Sequence, residues 1–247
     1  MQLIGICGTA RAGKTSAANF ITGQMLQNAG MTDKFEIDED GKLSVESDII
    51  GDNGQVSKEM RPFSAKNTLR DPEFELWAKQ QLWPNVKVYS LADPLKYWLI
   101  DTFGLTYDQV FGSGKYDGTD ITWESVKFLP MDKKYADKTG IMTAREVMVV
   151  FGTGFIRSVS KTTFVDAAIR RIKDDNPQVA IIDDVRADFE AKEIQDNGGI
   201  IVKLTRGDKA DMSEKSINKV KPDFVLDNKN MDMDLSHFKL KEFIFGA

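Results

Sequence analysis

Cysteine and histidine are nearly absent from this sequence of 247 residues, in which each occurs once, as Cys7 and His237. A single cysteine excludes a disulfide within the chain and favours a reducing compartment such as the cytoplasm. A single histidine argues against a histidine-based catalytic triad and against a metal site with several histidine ligands. Cys7 lies inside an apolar run, so we expect a buried thiol, whereas His237 stands apart from every motif described below.

Long hydrophobic runs are absent as well. No stretch approaches the ~20 apolar residues of a membrane-spanning helix, and the first residues, MQLIGICG, lack the basic segment of a signal peptide. We therefore expect no membrane partner. The formal charge of −5 comes from 33 Lys and Arg against 38 Asp and Glu, and it argues against nucleic acid as a partner. A nucleotide-binding enzyme can still be acidic, because only its binding cleft must be basic.

The most informative stretch that is present is GTARAGKT, residues 8–15. It has the G-x-x-x-x-G-K-T spacing of a phosphate-binding loop, between a predicted strand over 3–7 and a predicted helix over 16–28. In such a loop, backbone N–H groups and the helix N-terminus surround phosphate oxygens. Lys14 is expected at the β- and γ-phosphates, and the Thr15 hydroxyl at Mg²⁺. The residues expected to bind the triphosphate here are Gly8, Ala10, Arg11, Ala12, Gly13, Lys14, Thr15 and Ser16.

Other short apolar runs complete a predicted sheet. They predict strands at 86–89, 179–182, 200–204 and 224–226, with helical patterns between them. Strands that alternate with helices indicate a parallel α/β sheet, so we expect one P-loop NTPase domain with a five-stranded parallel sheet flanked by helices.

Two segments interrupt this alternation. Residues 31–72 are predicted as an insertion or flap with a small hairpin formed by 35–37 and 43–45, and we leave open whether it covers a substrate or has no functional role. Turn signals, including Arg61-Pro62, recur in that segment. Residues 104–142 are predicted as a lid or a substrate-side loop region.

Two acidic residues follow the run at 179–182. The run resembles a Walker B strand, which lies beside the loop strand and brings a carboxylate near Mg²⁺. Adjacent residues of a strand face opposite sides, so the pattern alone does not decide between Asp183 and Asp184.

Two more junctions carry polar residues that suit a site. Asp93 follows the strand at 86–89, where it is either part of a site at the sheet edge or the N-cap of a helix that has Pro94 in its first position. Thr143 and Glu146 form a capping box, T-x-x-E, that is predicted to open a helix. We expect that helix to stop at Gly152, with Arg157 in the turn that follows.

Together, these motifs resemble those of the bacteriophage deoxynucleoside monophosphate kinases, which belong to the P-loop nucleotide kinases. The resemblance covers the predicted core and leaves out 31–72 and much of 104–142. The matching segments are GTARAGKTSAANF (8–20), SLADPLK (90–96), TAREVMVVFGTGFIR (143–157), IIDDVRADFEAKEI (181–194), VKLTRG (202–207) and PDFVLDNKNMDMDL (222–235).

The resemblance implies transfer of the ATP γ-phosphoryl group to a deoxynucleoside 5′-monophosphate, with Mg²⁺ as cofactor. It further implies a cytoplasmic enzyme, in the host cell if phage-encoded, and a homodimer. It assigns catalytic roles to Lys14, Arg11, Arg157, Arg186 and Asp184. It places Arg206 at ATP, and Thr15 and Asp184 at the metal. It places Asp93, Lys96, Arg145, Glu146, Arg157 and Glu190 at the monophosphate.

Structural roles remain open for the same residues. Each arginine could instead form a surface ion pair. Asp184 could cap the turn after its strand, and Glu190 could pair with Lys192 or Lys173.

Two other kinds of protein have the same phosphate-binding loop. One is a small-molecule P-loop kinase that acts on a coenzyme precursor, and the other is a nucleotide-driven switch that binds a partner protein. A GTPase is disfavoured, because NKVK at 218–221 has Lys where the guanine motif N-K-x-D has Asp.

Overall fold

The computed structural model of the protein describes residues 1–50, 55–65, 72–129, 133–206, 217–229 and 231–246. The strands in these ranges are β1 (Gln2–Gly8), β2 (Phe35–Ile37), β3 (Leu43–Ile50), β4 (Val56–Phe63), β5 (Val86–Tyr89), β6 (Gly118–Thr122), β7 (Ile141–Thr143), β8 (Val179–Val185), β9 (Ile200–Leu204) and β10 (Phe224–Leu226). The α-helices are α1 (Lys14–Asn28), α2 (Pro72–Trp77), α3 (Asp93–Phe103), α4 (Tyr107–Phe111), α5 (Trp123–Val126), α6 (Ala144–Val149), α7 (Arg157–Val159), α8 (Thr163–Asp175), α9 (Asp188–Asp196) and α10 (Met233–Phe245). Two π-helical segments, Ala78–Leu82 and Val150–Ile156, continue α2 and α6.

A five-stranded parallel sheet, in the order β10-β9-β1-β8-β5, forms the centre of the fold. The prediction of five parallel strands flanked by helices is confirmed. Such strands read as continuous apolar runs because helices cover both faces of a parallel sheet. Cys7 is fully buried in β1, as expected, and burial raises the pKa of its thiol to about 11. Because the strands are parallel, the carboxyl ends of β1, β8 and β5 lie at one edge.

Helix α1 is buried on almost every side. It contacts β1, β5 and β8 of the parallel sheet, β2 and β3, and α10. The predicted core residues Ala17, Phe20, Ile21 and Met25 are all buried. This packing fixes the start of α1, and with it the loop at residues 8–13.

A separate antiparallel sheet, in the order β2-β3-β4, follows α1 in the chain. The predicted hairpin is confirmed, with Phe35 opposite Val45. The prediction missed β4, which is exposed and polar along most of its length. The supposed turn Arg61-Pro62 lies inside β4, where Pro62 is opposite Ser44, because an edge strand tolerates the missing N–H of proline. The turn signals at 51–54 lie outside the described residues.

The chain divides into two compact units. The first comprises Met1–Ser90 and Ile169–Ala247, and the second comprises Leu91–Ala168. The second unit contains α3 to α7 and the two-stranded sheet β6-β7, and the whole segment predicted as a lid falls within its bounds. Trp98 and Phe103 pack there against Phe151.

The predicted stop of α6 is wrong. Its capping box is confirmed, but the helical backbone continues through Gly152 into α7, so Arg157 lies on a helix rather than in a turn. A Cβ atom at Gly152 would come within 2.7 Å of the Leu95 side chain. The glycine therefore allows a close contact with α3 and does not end the helix. Among the described residues, no helix is both long enough and apolar enough to cross a membrane.

Candidate functional site

The loop between β1 and α1 has the geometry of an anion-binding turn. Gly13 occupies the N-cap of α1 with φ of 91°, a conformation that glycine adopts without strain. Arg11 has φ of 61°, which is strained for a residue with a side chain and is typical of functional loops. The Ala12 N–H donates to the Thr9 carbonyl over 3.2 Å and tightens the turn. The first N–H groups of α1 have no acceptor within the helix, and Gly13 has no side chain to cap them.

The Lys14 ammonium is held within this loop. It donates to the carbonyl oxygens of Gly8 and Thr9, at 2.8 Å and 2.7 Å. A positive charge therefore lies beside the first turn of α1, where the helix dipole also favours an anion.

Asn228 braces the loop from another part of the chain. Its amide nitrogen donates to the Ala12 carbonyl over 3.0 Å, and its amide oxygen accepts from the backbone N–H of Arg206 over 2.8 Å. Asn228 is buried. The sequence does not predict this role for Asn228, because nothing local in its segment signals a contact with residue 12.

A cavity of about 390 Å³ adjoins the loop and α10, and we call it the α10 cavity. Four of the predicted triphosphate contacts outside the helix line it, namely Arg11, Ala12, Gly13 and Arg206, and both arginines are exposed. Its walls are Arg11–Ala17, Glu39, Asp40, Gly41, Leu204, Arg206, Leu226, Asn228, Met233, Ser236, His237 and Leu240.

A second cavity, of about 250 Å³, lies on the β3 side of α1, and we call it the β3 cavity. Thr15 lines both cavities. The walls of the β3 cavity are Thr15, Ala18, Asn19, Lys42, Leu43, Phe63, Ser64, Ala65, Val88 and Asp183.

The two acidic residues at the end of β8 have different surroundings. Asp183 lines the β3 cavity together with Thr15, whereas Asp184 accepts a hydrogen bond of 2.6 Å from the Ser90 hydroxyl. The pairing of β8 with β1 is irregular here, since Gly5 is opposite Ile182 but Cys7 is opposite Val185. An extra residue in a strand redirects the neighbouring side chains. Thr15 and Asp183 therefore line the same cavity, whereas the resemblance had implied Asp184 as the carboxylate at the metal.

Glu190 organises the chain after β8. It is almost fully buried, and one carboxylate oxygen accepts from the backbone N–H groups of Arg186 and Ala187, at 2.8 Å and 3.0 Å. Of the two lysines considered as alternative partners, Lys192 contacts Asp196 and Lys173 donates to Asn197. Glu190 thus holds the backbone that carries the exposed Arg186 side chain.

His237 belongs to the site, although the sequence placed it apart from the motifs. Its ring stacks on Phe20 with 4.4 Å between centroids, and its Nε2 lies 3.3 Å from the Ser16 hydroxyl. The packing of α10 on α1 brings these residues together. Burial lowers the pKa of His237, and the nearby Asp234 carboxylate opposes this shift.

We expect the stability of the protein to fall as the pH drops below about 6.5, the ordinary pKa of histidine. The folded pKa of His237 is the lower one, so below pH 6.5 the unfolded chain binds more protons than the folded chain. Urea unfolding at a series of pH values measures this, with His237→Phe as the comparison because phenylalanine keeps the stack on Phe20 without a titrating ring. The decrease in the free energy of unfolding below pH 6.5 should be smaller in the variant. An equal decrease in both proteins would show that His237 does not cause it.

The remaining predicted residues lie in the second unit. Asp93 is the first residue of α3 and Ala92 is the N-cap, so the N-cap interpretation of Asp93 is wrong. The Lys96 ammonium lies 3.9 Å from the Asp93 carboxylate and 4.4 Å from the centroid of the Phe111 ring.

The predicted residues around α6 and α7 differ in their contacts. Glu146 accepts from the Thr143 N–H over 2.9 Å and contacts Lys138. In the structure Glu146 is thus part of the N-terminal cap of α6. Arg145 is exposed in the first turn of α6. The Arg157 guanidinium lies 5.7 Å from the centroid of the Phe164 ring.

The first unit therefore combines, around the start of α1, backbone N–H groups, an ammonium, a hydroxyl and a carboxylate, which are the kinds of group that contact phosphates and divalent cations. No group of three or more His, Cys, Asp and Glu side chains suited to a metal occurs among the described residues. Mg²⁺ does not require one, because it is usually bound by one or two carboxylates together with water and substrate phosphates. Comparison of the chain with models of protein families and with curated proteins finds no match.

Proposed function

We propose that the protein is a P-loop phosphotransferase that moves the γ-phosphoryl group of ATP to a deoxynucleoside 5′-monophosphate. The observation that carries this proposal is the pair of cavities that share Thr15 at the start of α1. Two adjoining cavities suit a reaction of two substrates, whereas a nucleotide switch needs only one. The choice of a deoxynucleoside monophosphate as acceptor follows from the sequence resemblance.

ATP is the proposed ligand of the loop and the α10 cavity. Its phosphates would accept hydrogen bonds from the first-turn N–H groups of α1 and from Lys14. Arg11 and Arg206 line the same cavity, and a guanidinium stays charged and binds phosphate oxygens in pairs. The base and sugar would extend along the cavity towards α10.

Thr15 and Asp183 fit a magnesium site. Both line the β3 cavity and offer a hydroxyl and a carboxylate oxygen, which are ligands that Mg²⁺ prefers. When bound there with phosphate oxygens, the ion would offset part of the negative charge on the transferring group.

The chemistry demands little of the protein beyond position and charge. An oxygen of the acceptor phosphate attacks the γ-phosphorus while the bond to the bridging oxygen of ADP breaks, giving a diphosphate and ADP. No general base is required, since the attacking oxygen is already anionic. Lys14 and the arginines would stabilise the charge of the transferring group. Asp93, Lys96, Arg145 and Arg157 remain predicted contacts of the acceptor, and Arg186 remains a predicted catalytic residue.

An acceptor panel tests this function. We expect the purified protein with Mg²⁺ and ATP to form ADP above background only when a deoxynucleoside monophosphate is present. The panel contains the four common deoxynucleoside monophosphates, their ribonucleotide counterparts, and a phosphate-free alcohol of the coenzyme-precursor type. ADP formation that needs the alcohol instead would indicate another small-molecule kinase. Tight nucleotide binding with no acceptor dependence would indicate a switch, and either result rejects the proposal.

A further inference from the structure

The inserted sheet β2-β3-β4 presents one of its ends to the β3 cavity. Lys42 and Leu43 stand at the start of β3, and Phe63 ends β4 opposite Leu43, so these residues meet at the same end of the sheet. All three line the cavity that contains Thr15 and Asp183. They belong to the segment that has no counterpart in the kinase resemblance.

This end of the sheet is fixed on α1. The Asn19 amide donates to the Gly41 carbonyl over 2.8 Å. Gly41 has φ of 78°, and a Cβ there would come within 2.8 Å of the Ser16 Cβ, so the turn lies directly on the first turns of the helix. Leu43 is buried at 1% exposure. The sheet therefore holds the backbone of Lys42 and Phe63 beside the loop, while the Lys42 side chain is 72% exposed and its ammonium contacts the Asp40 carboxylate over 3.1 Å.

The walls of the β3 cavity combine apolar and polar groups in the way that a nucleoside requires. Phe63, Leu43 and Val88 supply apolar surface, and Asn19 and Lys42 supply donors. The Phe63 ring is supported by Trp77, with 6.3 Å between centroids. The volume, about 250 Å³, lies just below the lower end of ligand pockets, roughly 300 Å³, which limits the cavity to one small ligand.

We propose that the inserted sheet is a wall of the acceptor site, in which Phe63 packs against the base of a nucleoside monophosphate and Lys42 supplies a positive charge. The acceptor's phosphate lies at the Thr15 and Asp183 end of the β3 cavity, and the base lies at the Phe63 end. This inference rests on the proposed phosphotransfer function and assigns the insertion a role in binding the acceptor.

The test compares Phe63→Ala and Lys42→Ala with two matched controls. Val56→Ala removes an exposed apolar side chain at the far end of β4. Lys34→Ala removes an exposed lysine that pairs with Glu36, outside the cavity. Phe63→Leu keeps the apolar bulk and removes only the aromatic face, so it replaces Phe63→Ala if the alanine variant does not fold by circular dichroism.

We expect Phe63→Ala to raise the acceptor KM by about tenfold or more, as loss of a base–aromatic stack does, while the ATP KM stays within about twofold. Lys42→Ala should also raise the acceptor KM, and both control variants should have the acceptor KM of the wild type. Calorimetric titration of each of the four deoxynucleoside monophosphates into the protein without ATP gives an independent readout.

The outcomes separate the inference from the function on which it rests. If the wild type transfers phosphate and the acceptor KM is unchanged in Phe63→Ala and Phe63→Leu, the inference is overturned. The proposed function is then unaffected. Absence of transfer in the wild type rejects the function. In that case calorimetry still tests the inference. Binding of a deoxynucleoside monophosphate to the wild type that is lost in the Phe63 variants supports the proposed site. Absence of binding to the wild type refutes the proposed site.

Discussion

Replacement of Lys14 by methionine should lower phosphoryl transfer by about a hundredfold or more, in line with the loss of one charged contact to a transition state. The substitution keeps much of the length of the side chain but removes the ammonium that the Gly8 and Thr9 carbonyls hold inside the loop. The two carbonyls then lose a donor, which water can replace because these contacts are only part-buried, so the fold should persist.

The measurement is kcat and both KM values, with circular dichroism and thermal unfolding to show that the variant is folded. Lys192→Met is the control, because Lys192 is an exposed lysine that pairs with Asp196 on α9, away from both cavities. We expect the control to match the wild type. Native folding together with retained transfer in Lys14→Met would refute the role assigned to Lys14.

The second large effect separates two neighbouring carboxylates. Asp183→Asn should reduce transfer by about a hundredfold or more and raise the Mg²⁺ concentration needed for half-maximal rate, because it removes the carboxylate that lines the β3 cavity together with Thr15. Asp184→Asn should reduce transfer far less, since the Asp184 carboxylate is engaged by the Ser90 hydroxyl. The two variants make the same chemical change one residue apart.

Magnesium titrations of both variants give the comparison, and Ser90→Ala serves as the control for the Asp184 hydrogen bond. We expect Ser90→Ala and Asp184→Asn to behave alike, with little change in the magnesium requirement. If Asp184→Asn instead shows the larger loss and the higher magnesium requirement, the assignment implied by the sequence resemblance is correct and ours is wrong.

The parts of the fold that could be predicted are those governed by short-range patterns. The five parallel strands read as apolar runs because both of their faces are covered. The loop at 8–15 is recognisable by glycine and lysine spacing, and the capping box at Thr143 by two residues three positions apart. In each case the physical requirement acts over a few neighbouring residues, so the sequence displays it.

The parts that could not be predicted depend on contacts between distant residues. His237 reaches Ser16, and Asn228 reaches Ala12, only because α10 and the end of β10 pack beside the loop. From the sequence, Gly152 is predicted to end a helix. Its actual reason is the Leu95 side chain, which leaves no room for a larger residue and is distant in sequence, so no local pattern reveals it.

Two further features of the structure could not be predicted because of the local sequence or the local strand pairing. Strand β4 is exposed and polar, so it lacks the apolar alternation by which half-buried strands are recognised. The direction of Asp183 depends on the irregular pairing between β8 and β1, and strand alternation could not have decided it.

Transfer of label from γ-³²P-ATP tests the central claim most directly. The protein is incubated with Mg²⁺, the labelled ATP and each deoxynucleoside monophosphate, and the products are separated by thin-layer chromatography. We predict label in a deoxynucleoside diphosphate, formed only when the monophosphate is added and greatly reduced in Lys14→Met. Label that appears only in inorganic phosphate, or that stays in ATP for every monophosphate, would contradict the proposed phosphotransfer.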